Sequence, residues 1–470
     1  MSIMIKYYKF IAFVIVTAAL VLAYSSVWND SPIVDEIPHI GAGYSYIEKW
    51  DMRLNPEHPP LAKDLAGIAL KFLNLNNDAF TTKFWNEDIN GQWNFGRNLI
   101  FNSGNDAIKI AHAAKLSIFI FFILSAVIIY IWTKELFGPM AGLIALFLFS
   151  FSPTVMAHSR FVTTDLPALF GVLLAAYFFI RFLKKPNYKT LIIAGLAFGV
   201  AQLTKYSLFL LIPYFGLLAL IYGWLNIEKH KLRHAIHYGF LSVFIIIIGY
   251  VVVVWPVYGL HTINYPPERQ KSDTIYLLGS YGNRLIAERV IELSDKLYIR
   301  SAAQYGLGLL MVTQRSIGGN TAYFLGEVRS QAWKKYFPVV YFIKEPLAFW
   351  GLVIIALFYL FSTWKPNLLK SPASKLDDQN LDIYAMFIWL GIYWFISIRA
   401  NLNIGVRHLL PMYGFTYMLI ANPLAILIQK SKITHVKHPM FNMGVFNMGV
   451  RVILIALFGW YFVENLRIYP

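Results

Sequence analysis

Two adjacent carboxylates near the start of the chain are the first side chains that could do chemistry. Asp35 and Glu36 follow the first apolar block in the sequence SPIVDEIPH, where Pro32 and Pro38 restrict the backbone on either side. A carboxylate can take the proton of a hydroxyl group during a reaction. Adjacent acids in a loop are more often simply solvated, so the pair indicates a site only if other polar residues join it.

The segment HSRFVTTDLP, residues 158–167, is a second polar constellation. It places Arg160 and Asp165 in a short loop before an apolar block. Asp165 is a candidate N-cap for the following helix, with Pro167 in the first turn. That structural role is compatible with a site, because a helix N-terminus also attracts anions.

Cationic side chains recur near the predicted outer ends of helices. Lys205 lies in QLTKYS, Lys344 lies in YFIKEP, and Arg407 and His408 lie in NIGVRHLLP. A single cation at a membrane interface usually just reaches towards the lipid headgroups. Several cations beside an acidic pair fit transfer from a phosphate-activated donor, which needs an acid–base group at the acceptor and positive charge at the leaving phosphate.

Other ligand classes are less well supported. No Gly-rich phosphate loop is evident, so nucleotide binding is not indicated. His39, His58 and His158 could hold a metal together with carboxylates, but their spacing is not a recognised zinc pattern. The pattern therefore leaves a divalent metal open without indicating one. The chain has no cysteine, which excludes disulfides and cysteine nucleophiles.

The elements that must position these residues are membrane spans. Hydrophobic residues make up 57% of the 470-residue chain and charged residues 14%, and the mean hydropathy is +0.53. The apolar residues fall in blocks long enough to cross a hydrocarbon core of about 30 Å. We therefore predict an all-α polytopic membrane protein with about eleven spans, at residues 10–28, 115–132, 139–154, 165–183, 190–204, 206–225, 238–258, 341–362, 383–398, 409–428 and 450–466.

Charge sets the orientation. The net charge is +16, and much of it falls in predicted inner loops, as the positive-inside rule requires. The charge is explained without a nucleic-acid partner, and the N-terminus is predicted to be cytoplasmic. The fifth span is short and contains glycines, and it could instead be re-entrant, which would move Lys205 to the inner side. The inner loops are predicted at residues 133–138, 181–190, 226–237, 363–382 and 429–449.

Two long loops, residues 29–114 and 259–340, are predicted on the outer face. In the first, Leu61, Leu65, Ile68 and Phe72 share one side of a helical pattern. Such a helix either lies along the membrane surface or packs against a neighbouring loop.

Taken in order, these motifs resemble those of the C-type, polyprenyl-phosphate-dependent glycosyltransferases. The likeness is to the group that contains the protein O-mannosyltransferases and the lipid A aminoarabinose transferase, and it runs along the whole chain. Each motif alone is weak, and their order and common membrane face carry the resemblance. The motifs are the acidic pair, HPPL at 58–61, HSRFVTTDLP at 158–167, TKYS at 204–207, YFLGE at 323–327, YFPVVYFIKEP at 336–346 and NIGVRHLLP at 403–411.

The resemblance implies a role for each candidate residue. Asp35 would be the catalytic base towards the acceptor hydroxyl, Glu36 would support it or contact the sugar, and Asp165 would be a second site acid. The remaining residues fall into two sets. The donor phosphate would be held by Arg160, Lys205, Lys344 and Arg407, and the acceptor or substrate would lie against Glu57, His58 and His408.

The resemblance also implies the substrates and the setting. The donor would be a polyprenyl-phosphate-linked sugar, and the acceptor a protein, lipid or glycan. The expected reaction inverts the anomeric centre. A retaining reaction would need Asp35 and Asp165 about 5–5.5 Å apart, with one as nucleophile.

The expected arrangement is one transmembrane domain, residues 1–470, in a prokaryotic plasma membrane with the site on the outer face. The additional C-terminal outer domain of many relatives is expected to be absent. A lipid or anion transporter and a non-catalytic membrane protein are the alternatives. A transporter usually shows internal repeats and broken helices near mid-membrane, whereas here no repeat of spans is evident and the notable polar residues cluster at one face.

Overall fold

The protein is an α-helical bundle with short helices at one end. The computed structural model describes residues 2–225, 230–363, 378–430 and 443–468. The predicted inner loops at 226–237, 363–382 and 429–449 extend outside the described residues. The α-helices, numbered in chain order, are α1 (Ser2–Val27), α2 (Glu36–Lys49), α3 (Leu61–Lys71), α4 (Lys83–Asn86), α5 (Gln92–Arg97), α6 (Ala107–Phe137), α7 (Pro139–Ser150), α8 (Pro153–Ser159), α9 (Asp165–Lys184), α10 (Tyr188–Gln202), α11 (Leu211–Leu225), α12 (Lys231–Ile248), α13 (Trp255–His261), α14 (Pro267–Leu277), α15 (Arg284–Leu293), α16 (Arg300–Gly318), α17 (Tyr336–Lys344), α18 (Leu347–Thr363), α19 (Asp378–Arg399), α20 (Leu410–Lys430) and α21 (Met443–Ile468).

Short irregular elements complete the described chain. The two strands, β1 (Ala322–Phe324) and β2 (Glu327–Arg329), form an antiparallel hairpin in which Tyr323 pairs with Val328. The 3-10 helices are Asp78–Thr81, Tyr206–Leu210 and Val406–Leu409, and the π-helical segments are Asn98–Asn102 and Gly249–Val254.

The prediction of an all-α membrane protein is confirmed, and the count of eleven spans is approximate. Within the described residues, eight helical segments are long and apolar enough to cross a membrane. Two apolar helix pairs, α7 with α8 and α17 with α18, bend by 63° and 105°, and the number of spans is ten if each pair crosses the membrane as one span. The helix α10, at the predicted fifth span, has only 15 residues. The eight segments are Tyr7–Val27, Ala107–Phe137, Asp165–Lys184, Tyr206–Leu225, Lys231–His261, Asn380–Arg399, Val406–Gln429 and Gly449–Arg467.

Helix α9 forms the centre of the bundle. Of its apolar window, 78% is buried, compared with 17% for the window of the last span. Helix α10 packs beside α9 and α12, because its glycines leave no side chain in the way. A Cβ atom on Gly195 would lie 2.6 Å from Ile248 Cγ2, and one on Gly199 would lie 2.6 Å from the Gly249 carbonyl oxygen. The glycines that interrupt the fifth span are thus contact points between helices.

Helix α3 occupies the position predicted for an amphipathic helix. Its buried residues are Ala62, Lys63, Ala66, Gly67 and Leu70, and the helix packs on α2. The predicted apolar side is partly free, since Ile68 and Phe72 are exposed. The helix therefore packs through the face opposite to the one that the apolar pattern singled out.

Candidate active site

A cavity of about 140 Å³ opens at the end of the bundle where α9 begins and α10 ends. We call it the charged cavity. Its charged residues come from well-separated parts of the chain, and polar and aromatic residues of both long loops complete its wall. The lining residues are Asp35, Pro38, His39, Asn55, Glu57, His58, Gln92, Trp93, Thr163, Thr164, Asp165, Lys205, Arg315, Ile404 and Arg407.

Asp35 is held at the start of α2, directly after the first span. Its carboxylate accepts a hydrogen bond from the Arg407 guanidinium, and the two form an ion pair. Gly405, at φ +92°, reverses the chain just before the 3-10 helix that carries Arg407. The Asp35 side chain remains 38% exposed, so a substrate in the cavity can reach this carboxylate.

Asp165 and Lys205 form a second ion pair in the same cavity. The Lys205 Nζ atom donates to Asp165 Oδ1 over 2.6 Å. The prediction that Asp165 is an N-cap is wrong by one position, because α9 begins at Asp165 and Thr164 holds the cap. The N-terminal end of the helix dipole stabilises the Asp165 carboxylate there. This contact places the end of α10 beside the start of α9, which fits a fifth span that crosses.

Two histidine rings line the cavity beside Asp35. The rings of His39 and His58 lie 4.8 Å apart. Burial lowers the pKa of His39 to about 3, and it lowers the pKa of His58 well below the usual range, with nearby Lys63 adding to both effects. The Nδ1 atom of His39 is buried and makes no hydrogen bond with the described residues. Both rings are therefore neutral at pH 7 and can act as hydrogen-bonding groups without charge.

Glu57 contributes to the cavity through a network of amides. Its Oε1 accepts from Gln92 Nε2 over 2.5 Å, and its Oε2 accepts from Asn90 Nδ2 over 3.3 Å. The network ties the loop before α3 to the start of α5. Glu57 is therefore held in a defined direction before any substrate binds.

A buried lysine that the sequence analysis passed over fixes the same loop. Lys63 Nζ donates to the His58 carbonyl oxygen over 2.7 Å, and to the Asn55 carbonyl oxygen and the Tyr46 hydroxyl over 2.8 Å each. Burial lowers the pKa of Lys63 to about 7, although Glu57 opposes the shift. The Lys63 side chain is fully buried.

Glu36 points away from the charged cavity although it follows Asp35 in sequence. Its Oε1 accepts from the Val162 amide and its Oε2 from the Ile33 amide, each over 2.8 Å. Lys115 Nζ lies 3.4 Å from Oε2, and both side chains are fully buried. Burial raises the pKa of Glu36, against the opposing charge of Lys115. Glu36 is therefore not part of the cavity lining and instead joins three elements.

Three other predicted residues lie outside the cavity lining. Arg160 Nη1 pairs with Asp30 Oδ2 over 2.8 Å, which ties its loop to the end of α1. Lys344 is exposed at the last turn of α17, where the chain bends into α18. The ring of His408 packs between Phe337 and Tyr393, with ring centres 5.4 and 5.8 Å away. The structure therefore does not bring Arg160, Lys344 or His408 to the cavity wall.

Several cavity residues escaped the sequence analysis. Arg315 of α16 adds a cation at the mouth, and Trp93 adds an exposed aromatic ring. The only signal for Arg315 is the cationic character of the second long loop. Nothing in the local sequence marks Trp93, which reaches the cavity through the fold of the first long loop.

The structure holds no preferred metal position in the part of the chain that it describes. Among residues 2–225, 230–363, 378–430 and 443–468, no group of three or more His, Cys, Asp or Glu side chains is arranged to hold a metal ion. The polar chemistry that the cavity offers is thus that of its carboxylates, cations, amides and neutral imidazoles.

Part of the chain matches a known family. The family described as dolichyl-phosphate-mannose-protein mannosyltransferase matches residues 104–255. This region contains Asp165 and Lys205 but neither Asp35 nor Arg407. No curated protein matches the sequence.

Solved structures share the whole fold. The S. cerevisiae protein O-mannosyltransferase Pmt1-Pmt2 complex bound to the sugar donor has a TM-score of 0.63 at 11% identity, over 98% of this chain and 90% of that chain. ArnT from Cupriavidus metallidurans bound to undecaprenyl phosphate has a TM-score of 0.55 at 12% identity, over 97% of this chain and 75% of that chain.

A third structure is an archaeal oligosaccharyltransferase. AglB from Archaeoglobus fulgidus, in complex with an inhibitory peptide and a dolichol-phosphate, has a TM-score of 0.53 at 14% identity, over 97% of this chain. This chain spans 56% of the length of that protein. The three matches confirm the C-type glycosyltransferase fold that the sequence motifs implied.

Proposed function

We propose that this chain is a membrane glycosyltransferase that moves a sugar from a polyprenyl-phosphate donor to an acceptor hydroxyl. The observation that carries the proposal is the convergence of Asp35, Asp165, Lys205 and Arg407 on one cavity. They come from four distant parts of the chain and sit at the same end of a membrane bundle. An exposed carboxylate beside two cations is the chemistry that transfer from a phosphate donor needs.

In the proposed reaction Asp35 is the general base. Its carboxylate takes the acceptor proton as the acceptor oxygen bonds to the anomeric carbon. The bond from that carbon to the phosphate oxygen breaks, and the phosphate leaves with the electron pair. Lys205 and Arg407 stabilise the negative charge on the leaving phosphate. A single displacement of this kind inverts the anomeric centre.

Asp165 and Glu57 have supporting roles in this proposal. Asp165 holds Lys205 at 2.6 Å and so directs the ammonium group into the cavity. Glu57, fixed by Gln92, faces the acceptor side together with His58. The neutral rings of His39 and His58 add no positive charge that would compete with the cations for the phosphate.

The donor class is supported by what the similar proteins bind. The bacterial ArnT is bound to undecaprenyl phosphate, the archaeal AglB is in complex with a dolichol-phosphate, and the yeast complex is bound to its sugar donor. The matching family is named for a dolichyl-phosphate-mannose reaction. A polyprenyl-phosphate sugar is the ligand class common to these descriptions.

We also propose that the protein lies in a prokaryotic plasma membrane with its N-terminus inside. The charged cavity would then face outwards. The support is the placement of cations at the opposite end of the bundle, where Arg181 and Lys184 lie in the last turn of α9 and Lys185 follows it. Cations in short inner loops are the usual determinant of orientation.

Replacing Asp35 by asparagine tests the function. We expect Asp35→Asn to reduce transfer from a radiolabelled polyprenyl-phosphate sugar by about 10²- to 10⁴-fold, since a positioned base contributes this much. The assay uses membranes with equal amounts of folded protein. Movement of the lipid across the membrane without any sugar transfer would instead support a transporter.

Asp30→Asn is the matched control. Asp30 lies in the same loop and also pairs with an arginine, Arg160, but it does not line the cavity. Its replacement should leave transfer within a few-fold of the unmodified protein. Equal rates for Asp35→Asn and Asp30→Asn would remove Asp35 from the role of base.

A further inference from the structure

A second depression lies beside the charged cavity and shares one residue with it. This groove has a volume of about 530 Å³, and we call it the side groove. Trp93 lines both the side groove and the charged cavity. A molecule in the side groove therefore lies next to the cavity that holds Asp35, with Trp93 between them. The side chains that line the side groove are those of Glu87, Asp88, Asn90, Trp93, Asn94 and Tyr276.

The wall of the side groove is rigidly built. Arg269 of α14 donates from Nη2 to the carbonyl oxygens of Glu87 and Asp88, each over 3.0 Å. Its Nε atom also donates to Asp273 Oδ1 over 3.0 Å. These contacts join the first long loop to α14, which carries Tyr276. They also occupy main-chain acceptors that an extended peptide would otherwise use.

The chemistry of the side groove differs from that of the charged cavity. Its aromatic side chains are open, with Trp93 46% and Tyr276 70% exposed. Glu87 and Asp88 form no ion pair with any residue that the structure describes. The groove lining contains no lysine or arginine, whereas the cavity holds Lys205 and Arg407. Phosphate is therefore favoured in the cavity and disfavoured in the groove.

We infer that the side groove binds the acceptor and that this acceptor is an uncharged carbohydrate; the inference rests on the proposed function. Open aromatic rings can cover the apolar faces of sugar rings. Carboxylates accept hydrogen bonds from sugar hydroxyls, and the Asn90 and Asn94 amides both donate and accept. A glycan end reaching past Trp93 would bring its hydroxyl to Asp35.

Binding is tested without any donor. The protein in lipid nanodiscs is mixed with neutral oligosaccharides of mannose, glucose, galactose or N-acetylglucosamine, and binding is followed by saturation-transfer NMR. We expect at least one of these to bind, and Tyr276→Ala to weaken it about five- to tenfold, in line with the energy of one aromatic contact. Asn94→Ala is a second exposed variant that removes one amide without disturbing packing.

Tyr323→Ala is the matched control for Tyr276→Ala. Tyr323 is an equally exposed tyrosine of the second long loop, and it lines neither the side groove nor the charged cavity. Its replacement should leave glycan binding unchanged. The inference is overturned if none of the oligosaccharides binds, or if Tyr276→Ala and Tyr323→Ala behave alike. It is also overturned if an uncharged serine-containing peptide or a phosphorylated oligosaccharide binds through Tyr276 and the neutral glycans do not.

A transfer assay separates this inference from the proposed function. With a radiolabelled polyprenyl-phosphate sugar as donor, Tyr276→Ala should raise the KM for the bound oligosaccharide five- to tenfold and the KM for the donor by less than twofold. If the unmodified protein binds glycan but transfers no sugar, the proposed function is contradicted and glycan binding in the groove still stands. If transfer depends on Asp35 but not on Tyr276, the proposed function stands and the inference about the groove is contradicted.

Discussion

At the level of single residues, the sequence motifs identified four charged residues of the cavity. They did not show which adjacent residues turn away from it. Asp35, Asp165, Lys205 and Arg407 were all singled out from the sequence, and all four line one cavity. Glu36 was singled out with Asp35, but the two side chains diverge. Consecutive residues in a helical turn point about 100° apart, so adjacency in sequence does not place two carboxylates in one site.

Sequence also does not reveal which partner a charged side chain will choose. Arg160 has the right charge in the right loop, but Asp30 is closer and is its partner. Lys63 was overlooked because a lysine in a helix normally faces water. Its burial depends on acceptors from Asn55 and His58, which the fold brings together. Such partner choices require the three-dimensional arrangement.

The neutral state of His39 has a consequence for stability in acid. The charges that face its ring are those of Lys63, Asp35, Asp165 and Arg407, and burial has the largest effect. Its pKa in the folded protein, about 3, lies below the usual value of 6.5. The unfolded chain therefore binds a proton between pH 6.5 and 3 that the folded chain does not, and stability is lost as the pH falls through this range.

We expect this effect to be visible in thermal unfolding. Between pH 7 and pH 4 the unmodified protein in detergent should lose about 3 kcal/mol of stability through His39. His39→Gln should lose correspondingly less, whereas His237→Gln, which changes an exposed ring, should behave like the unmodified protein. Identical pH dependences for all three proteins would contradict the assignment.

At the level of elements, hydropathy located the spans but not their bends. All eleven predicted spans fall on helical segments, because long apolar blocks are readable from sequence. The break of 105° between α17 and α18 was not anticipated. It lies at Glu345, whose buried carboxylate accepts from Thr154 Oγ1 over 3.0 Å. That contact joins residues 191 positions apart, which local pattern cannot reveal.

In the long loops, too, the sequence predicted a helix but not the contacts that the helix and the loop make with distant segments. A helix was expected at Leu61–Phe72, and α3 occupies Leu61–Lys71. The sequence did not indicate which face packs on α2, and the contact there includes the small residues Ala62, Ala66 and Gly67. Likewise, nothing in the sequence around Arg269 indicates that it joins α14 to the loop at Glu87 and Asp88.

At the level of the whole molecule, the proposed function depends on which side the charged cavity faces. The proposed orientation puts the cavity and both long loops outside, and the α9–α10 turn inside. The natural chain contains no cysteine, so single introduced cysteines can report on each side without background.

We expect Lys296→Cys, in the second long loop, to react with a membrane-impermeant maleimide in intact cells. Lys185→Cys, in the turn between α9 and α10, should react only after the membrane is permeabilised. Both positions are exposed, so access depends on the membrane alone, and the cysteine-free protein should remain unlabelled. The reverse labelling pattern would place the charged cavity in the cytoplasm.

The shortness of α10 has a consequence for the lipid around the protein. Its 15 residues extend about 22 Å along the helix axis, roughly 8 Å less than an average hydrocarbon core. Ile192, Ile193 and Leu196 are exposed on this helix, so lipid chains contact it. Such hydrophobic mismatch is relieved when the surrounding bilayer becomes locally thinner.

Thinning beside α10 would lower the headgroup plane towards Lys205, which follows the end of this helix. A donor diffusing in the bilayer would then meet its phosphate site at a depth that a thick membrane does not offer. We expect faster transfer in nanodiscs of dimyristoyl lipid than in nanodiscs of dierucoyl lipid at equal donor surface density. Equal rates would show that the bilayer thickness around α10 does not control access of the donor, whereas the expected difference would make membrane thickness a regulator of the reaction.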